Sequence, residues 1–241
     1  MKTLLTIGNP KTQKGVALGY LTAILHLAPY KLAGAGNMCA DASPGCIAGC
    51  LNLSGRGGIF KKGESTNAIQ EARIRKTQAL KNDRAAFLER LAHEIGLHVK
   101  RAHRLGLKPS VRLNGTSDLP WEGLAPELFK RFPEVLFYDY TKSLKRASSQ
   151  AYGFTKAKLP SNYSLTYSRK ETDSPKTLQA LVARGVNVAV PFLNVPDTWE
   201  DMPVHDGDEH DLRFLDPKGV IIGLKAKGPA RKDLSGFTVR N

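Results

Sequence analysis

Short apolar runs alternate with segments of helical periodicity along most of the chain. Runs rich in β-branched and aromatic residues predict strands, and they lie at residues 3–7, 15–28, 111–115, 135–140, 163–168, 187–192, 212–215 and 219–226. The run at 15–28 is long enough for one buried strand or a pair. Helical spacing predicts helices at 67–106 (two helices or one broken helix), 120–132, 142–150 and 175–184.

Strands that are separated by helices indicate βαβ units and a parallel sheet. Five or six such units are too few to close an eight-stranded barrel. We therefore predict an α/β fold, a partial (β/α) barrel of mostly parallel strands, with an open doubly wound sheet as the alternative. With 241 residues, the chain is predicted to form a single α/β domain over residues 1–241, with a cysteine loop at 37–58.

Helix boundaries can also be predicted. Ser65 and Thr66 have the side chains of N-caps for the helical region that follows. Gly96 and Gly106 are the predicted stops of that region, and Gly185 is the predicted stop of the helix at 175–184.

Polar residues follow several predicted strands. In parallel α/β folds the chemistry lies at the carboxyl ends of the strands, so we expect these residues at one edge of the sheet. They are Asn114, Thr116, Ser117, Asp118, Tyr138, Asp139, Tyr140, Thr141, Lys142, Tyr167, Ser168, Arg169 and Asn194. Each alone also suits a turn or a helix cap. The residues predicted to bind a cofactor are Asn114, Thr116, Ser117, Asp118, Tyr138, Asp139 and Ser168.

All three cysteines of the chain lie in a Gly-rich stretch with the spacing C-x6-C-x3-C: Cys39, Cys46 and Cys50. An odd count does not suit a disulfide framework, and a closed zinc site takes four ligands. Three thiolates can hold a [4Fe–4S] cluster and leave one iron open to a small ligand. We predict such a cluster. Zinc with a His or Asp ligand, and ordinary buried cysteines, are the alternatives.

A second dense polar cluster lies at His205–Asp211, HDGDEHD. Asp206, Asp208, His210 and Asp211 have the side chains of divalent-metal ligands, or of the missing cluster ligand. One hypothesis is therefore a metal-dependent nuclease that uses Asp206, Asp208 and His210. The sequence D-G-D is also typical of a plain turn, and we favour the turn.

The formal net charge is +14, and residues 56–112 carry 14 Lys or Arg against 5 Asp or Glu. Such an excess predicts DNA or RNA binding through a basic surface. A nucleic-acid-binding protein with a structural zinc site is therefore the alternative function.

The apolar run at 15–29 is too short to span a bilayer, so we expect no membrane partner. Cysteines in an odd number also favour a cytoplasmic protein.

A first strand, a three-cysteine loop and βα units with polar strand ends together resemble the radical S-adenosylmethionine fold. This resemblance implies a radical-SAM-like enzyme whose cluster carries S-adenosylmethionine on its fourth iron. The family's usual cysteine spacing is C-x3-C-x2-C, and its GGE-type segment is replaced here by residues 114–118, NGTSD.

A second resemblance covers most of the chain. The strings RLNGTSDLPWE, FYDYTK and GDEHDLRFLDPKGVIIGLKAKG are similar to a bacteriophage family known as the gene-product-88 domain. This resemblance implies a phage origin, and hence the cytoplasm of the host cell, but no established function.

Overall fold

The structure is a computed structural model that describes residues 3–8, 10–149 and 159–240. Its strands are β1 Leu5–Ile7, β2 Tyr20–Leu25, β3 Lys108–Arg112, β4 Leu136–Thr141, β5 Tyr163–Ser168, β6 Val188–Phe192, β7 Thr198–Trp199, β8 Met202–Asp206 and β9 Ile221–Lys225. Its α-helices are α1 Pro10–Val16, α2 Pro44–Ala48, α3 Ala68–Asn82, α4 Arg84–Arg104, α5 Trp121–Leu124, α6 Pro126–Arg131, α7 Leu144–Ser148 and α8 Pro175–Val182. Short 3-10 helices lie at Leu51–Leu53, Gly55–Gly58, Arg213–Leu215 and Gly228–Lys232.

The strands form a mostly parallel sheet in the order β1-β2-β3-β4-β5-β6-β9-β8-β7. Two strand pairs of the described residues are antiparallel, β1 with β2 and β7 with β8. The predicted α/β class with a mostly parallel sheet is confirmed, and the sheet is not closed, because β1 and β7 stand at its two ends. From β2 to β6 each new strand is added beside the previous one, without the reversal of a doubly wound sheet.

The described residues fall into two compact units, each made of several chain segments. The first unit draws on residues 1–40, 59–139 and 160–164. The second draws on residues 41–58, 140–159 and 165–241. Cys39 therefore belongs to the first unit, and Cys46 and Cys50 belong to the second.

The core of the first unit depends on the long helix α4. Phe87, Leu91, Ile95 and Ala102 are buried at the spacing of one helix face. Glu94, near the middle of α4, accepts hydrogen bonds from the backbone N–H groups of Leu4 at 2.8 and 2.9 Å and of Leu5 at 2.9 Å. Hydrogen bonds to a single helix residue thus fix the start of the first strand.

The core of the second unit forms between helix α8 and the central strands. Leu178 and Leu181 of α8 pack in one buried cluster with Val188, Val190 and Ile221. The two helix residues lie three positions apart on one face, and the consecutive strand residues Val188–Val190 are all buried, which is the pattern expected of a strand covered on both faces.

Two predicted strands are wrong in part. The run at 15–28 does not form a strand pair, because α1 occupies its start and only Tyr20–Leu25 is extended. Gly19 separates the two with a φ of 83°, a conformation that glycine adopts easily. The predicted strand at 212–215 is a 3-10 turn, in which the Leu215 N–H donates to the Leu212 carbonyl at 2.9 Å. Strands β7 and β8 were not predicted.

The predicted helical region at 67–106 is two helices. Asn67, rather than Ser65 or Thr66, is the N-cap of α3, and its Oδ1 accepts from the N–H groups of Ile69 and Gln70. Asp83 divides the region and caps α4 through the Ala86 N–H at 3.0 Å. Gly96 lies inside α4, so the prediction that it ends a helix is wrong.

The remaining helix predictions hold more closely. Gly106 and Gly185 follow the ends of α4 and α8 with φ of 68° and 79°, as predicted. Two short helices, α5 and α6, replace the single helix predicted at 120–132. The helix predicted at 142–150 is observed at Leu144–Ser148, and residue 150 lies outside the described residues. Within the described chain, no helix is both long and apolar enough to cross a membrane.

Candidate functional site

A buried hydrogen-bond network follows strand β3 in the first unit. Its centre is Asn114, whose backbone N–H donates to Asp139 Oδ1 at 2.7 Å. The Asn114 Oδ1 accepts from Ser117 Oγ at 2.9 Å and from the indole N–H of Trp121 at 3.1 Å. Asp139 Oδ2 accepts from the Tyr163 hydroxyl at 2.9 Å. The predicted ligand residues Asn114, Ser117 and Asp139 thus hold the polypeptide together around the ends of β3 and β4.

The other predicted cofactor-binding residues lie in varied surroundings. Thr116 donates from Oγ1 to the Leu27 carbonyl at 2.5 Å, and the Asp118 N–H donates to the Met38 carbonyl at 2.8 Å. Tyr138 is fully buried, whereas Ser168, at the end of β5 in the second unit, is half-buried. Their role in ligand binding stays a prediction.

The Cys39 thiol lies among backbone polar groups of the first unit. Its Sγ accepts from the Tyr30 N–H at 3.4 Å and lies 3.9 Å from the Thr116 carbonyl oxygen. Its own N–H donates to Asn37 Oδ1 at 2.8 Å. An N–H donor at the sulfur favours the thiolate, which is the form that binds metal.

Helix α2 carries Cys46 and is anchored by Glu171 of the second unit. Glu171 accepts from the Ser43 hydroxyl at 2.5 Å and from the Gly45 N–H at 2.7 Å. Burial opposes the charge of Glu171, but these two hydrogen bonds outweigh it and hold the pKa of the carboxyl below its ordinary value. The carboxylate therefore fixes the start of the helix that carries Cys46.

Two cations lie against the same part of the second unit as Cys46. Cys46 packs against the buried cluster of Ala226, Ala230 and Phe237, and Lys142 Nζ stands 4.6 Å from the centroid of the Phe237 ring. Lys142 is buried and donates to the Arg169 carbonyl at 2.5 Å. The Arg169 guanidinium donates to the Gly236 carbonyl at 2.8 Å. Positive charge beside a thiol lowers the cost of ionising it.

The three cysteines are thiols, each partly exposed. Among the residues that the structure describes, no group of three or more His, Cys, Asp or Glu side chains is placed to hold a metal ion.

The segment at 205–211 forms a turn after β8, as favoured from the sequence. The Asp206 carboxylate accepts from the Asp208 N–H at 2.8 Å. Asp208 accepts from the Lys225 N–H at 2.8 Å and pairs with Lys227 Nζ at 2.5 Å. These carboxylates close the turn and tie it to β9, and the nuclease hypothesis stays a prediction.

A buried ionic cluster surrounds Asp216 in the second unit. The Asp216 side chain is fully buried, and Arg213 Nη1 lies 3.2 Å from its Oδ2. The Nε2 atoms of His205 and His210 lie 3.8 and 4.0 Å from its Oδ1. Burial raises the pKa of Asp216 to about 6, although Arg213 and His205 act in the opposite direction. His210 Nδ1 accepts from the Leu212 N–H at 3.2 Å, so Nε2 carries the proton in the neutral ring.

The family of the chain follows from its sequence as a whole. Residues 3–241 match the sequence model of one protein family, described as gene product 88. The chain belongs to the gene product 88 family. The predicted resemblance to that family is confirmed, whereas the resemblance to the radical S-adenosylmethionine fold stays a prediction. No curated protein and no solved structure matches the chain.

Sequence reasoning missed two acids of this gene product 88 chain. Glu171 was not selected, although it follows the Tyr167–Arg169 group of strand-end residues. Its partner Ser43 lies 128 residues away, and no local pattern links the two. Asp216 was not selected either, and the apolar residues on both sides of it are the only signal in the sequence that it is buried.

Proposed function

We propose that this gene product 88 chain is an iron–sulfur protein that binds one [4Fe–4S] cluster through Cys39, Cys46 and Cys50. The observation that carries the proposal is the sequence itself: every cysteine of a 241-residue chain falls within twelve residues, and there are three of them. A cluster of this type is held by thiolates, and three of them leave one iron open.

The surroundings of the thiols support the proposal within each unit. Cys39 accepts a backbone N–H from Tyr30, and such donors stabilise sulfur that carries negative charge. Cys46 packs against the cluster that contains Phe237, and the buried cation Lys142 lies over the Phe237 ring. The N–H donor at Cys39 favours thiolate over thiol, which is the first requirement for holding iron.

The open iron suits a small ligand, and S-adenosylmethionine is the ligand that a radical-SAM-like partial barrel would take. The uninterrupted strand order from β2 to β6 supports this finer fold, because barrels add strands in sequence. In that case the cluster supplies the electron, and the chain orients the ligand. Thr116, Asp118 and Ser168 stay the predicted ligand contacts at the strand ends.

The test is anaerobic purification followed by iron and sulfide analysis, with electron paramagnetic resonance of the reduced protein. We expect about four iron and four sulfide per chain, and a strong loss of both in Cys46→Ser. Ser149→Ala, outside the cysteine loop, serves as the control, because it also alters one small polar side chain but leaves all three thiols in place. A colourless protein with stoichiometric zinc overturns the cluster and leaves the zinc alternative.

Binding of S-adenosylmethionine is a separate measurement. Isothermal titration into the reconstituted protein should give saturable binding that the Cys46→Ser variant lacks. A loaded cluster without any binding retains the iron–sulfur proposal and removes the radical-SAM-like part of it.

A further inference from the structure

The C-terminal half of helix α4 exposes a row of cations. Lys100, Arg101 and Arg104 are all exposed, and Arg104 lies four residues after Lys100 and three after Arg101, so it neighbours both on the helix surface. Lys108, the first residue of β3, is also exposed and lies four residues after Arg104 in the sequence. We call these four residues the α4 basic surface. No ion pair among the described residues involves any of them.

Two neighbouring stretches of the chain contain no carboxylate that could offset these charges. Residues 95–117 contain no Asp or Glu, and neither do residues 1–40. The two stretches are neighbours in the first unit, because Tyr20 of β2 pairs with Lys108 of β3. Glu94 is the last acid before the α4 basic surface in the sequence. Its carboxylate accepts hydrogen bonds from the N–H groups of Leu4 and Leu5.

Cations in the last turn of a helix also complement its dipole, which is worth about 0.3–1 kcal/mol each at an exposed site. That effect accounts for Arg101 and Arg104. It does not account for Lys108, which lies outside the helix, or for the absence of acids over both neighbouring stretches. The segregation of charge points to an anionic partner.

We propose that the α4 basic surface binds the phosphate backbone of nucleic acid. Cations held on a rigid helix contact successive phosphates, which carry no sequence information, and the Tyr20 ring beside them lies under Lys108 Nζ, 5.8 Å from its centroid. Binding is therefore independent of sequence, and it weakens steeply as salt displaces the released counterions. The surface does not depend on the iron–sulfur proposal.

The test compares two charge reversals that change the net charge equally. The surface variant is Lys100→Glu, Arg101→Glu and Arg104→Glu. The control variant is Lys62→Glu, Lys176→Glu and Lys218→Glu, three exposed lysines dispersed over the chain. Fluorescence anisotropy measures binding of each protein to single-stranded DNA, single-stranded RNA and duplex DNA over a series of salt concentrations. Circular dichroism checks folding, and the alanine form of the surface variant is used if the glutamate form is misfolded.

We expect wild-type affinity to fall with salt, and the surface variant to bind about tenfold more weakly or worse with a salt slope lower by about 2 to 3. The control should keep most of the wild-type affinity. Equal weakening in both variants overturns the assignment of the surface. Absence of wild-type binding at low salt overturns the partner, and binding to anionic lipid vesicles alone identifies a membrane partner instead. Cys46→Ser should bind nucleic acid as the wild type does.

Discussion

Asp216 shows how one buried side chain can dominate the response of the second unit to acid. Among the described residues, none donates a hydrogen bond to either oxygen of its buried carboxyl, and Arg213 Nη1 is its nearest charge partner at 3.2 Å. A carboxylate in such a place costs free energy when it is ionised. Asp216 is therefore a source of instability at neutral pH rather than a stabilising ion pair.

The first prediction concerns Asp216→Asn. The folded pKa of about 6 lies above the ordinary value of 3.8, so the folded state holds the proton more tightly than the unfolded state. Wild-type stability should therefore fall as pH rises through this range. We expect the free energy of unfolding of Asp216→Asn, relative to wild type, to rise by about 3 kcal/mol from acid to neutral pH. Urea denaturation across this range measures it, with Asp206→Asn as the exposed control. The same trend in both variants would contradict the prediction.

The residues that matter most at this scale were the hardest to predict. The cysteines stand out in the sequence because three of one rare type lie together. Glu171 and Asp216 are single acids in ordinary contexts, and their importance comes from partners and burial that only the fold provides. The network around Asn114 was located correctly at the strand end, but its side chains bind one another.

At the scale of elements, strand β9 is enclosed by a neighbouring strand on each edge. It pairs with β6 on one side and β8 on the other, and Gly223 lies at its centre. A Cβ on Gly223 would lie 2.5 Å from Val195 Cγ1 and 2.7 Å from Val204 Cγ1. Two valine side chains therefore occupy the space that any larger residue would need.

The second prediction concerns Gly223→Ala. The new methyl group forces both valines to move, and we expect a loss of about 1–3 kcal/mol in the free energy of unfolding. Gly123→Ala is the control, because nothing lies within 4 Å of its Cβ and alanine favours the α5 helix. Urea denaturation of both variants measures the difference. Equal stability of the two variants would show that the space around Gly223 accepts a methyl group.

Element prediction succeeded where pattern and length agreed. Tyr163–Ser168 was predicted to the residue, because a β-rich run stands between clear turns. The run at 15–28 failed, because apolar content alone cannot separate a helix from a strand over so short a span. Strands β7 and β8 are short and partly exposed, so neither has an apolar run to reveal it.

The whole molecule carries a charge of +14, and acids are absent from its first 40 residues. So much charge of one sign repels itself in the folded state more than in the expanded unfolded chain. The family was already indicated by three strings of the sequence, whereas the order of the sheet came from the structure, because no local pattern encodes it.

The third prediction follows from that repulsion. Added sodium chloride should raise the midpoint of thermal unfolding by roughly 2–5 °C between low and physiological ionic strength, because salt screens the repulsion. The Lys62, Lys176 and Lys218 charge reversal lowers the net charge from +14 to +8. Its midpoint should rise less over the same range, and differential scanning calorimetry measures both. If the midpoint of thermal unfolding rises equally in the two proteins, charge repulsion is not the cause of the rise.

Strand β2 finds its two neighbours at very different times during synthesis on the ribosome. It pairs with β1 only 20 residues earlier, at Leu5 and Leu25, but the Thr22 side chain meets Ser110 across 88 residues. Translation at roughly 5–20 residues per second leaves the second edge of the nascent strand open for about 4–18 s. A chaperone that shields this edge of the emerging chain would therefore raise the yield of folded protein, and slower translation would lower it.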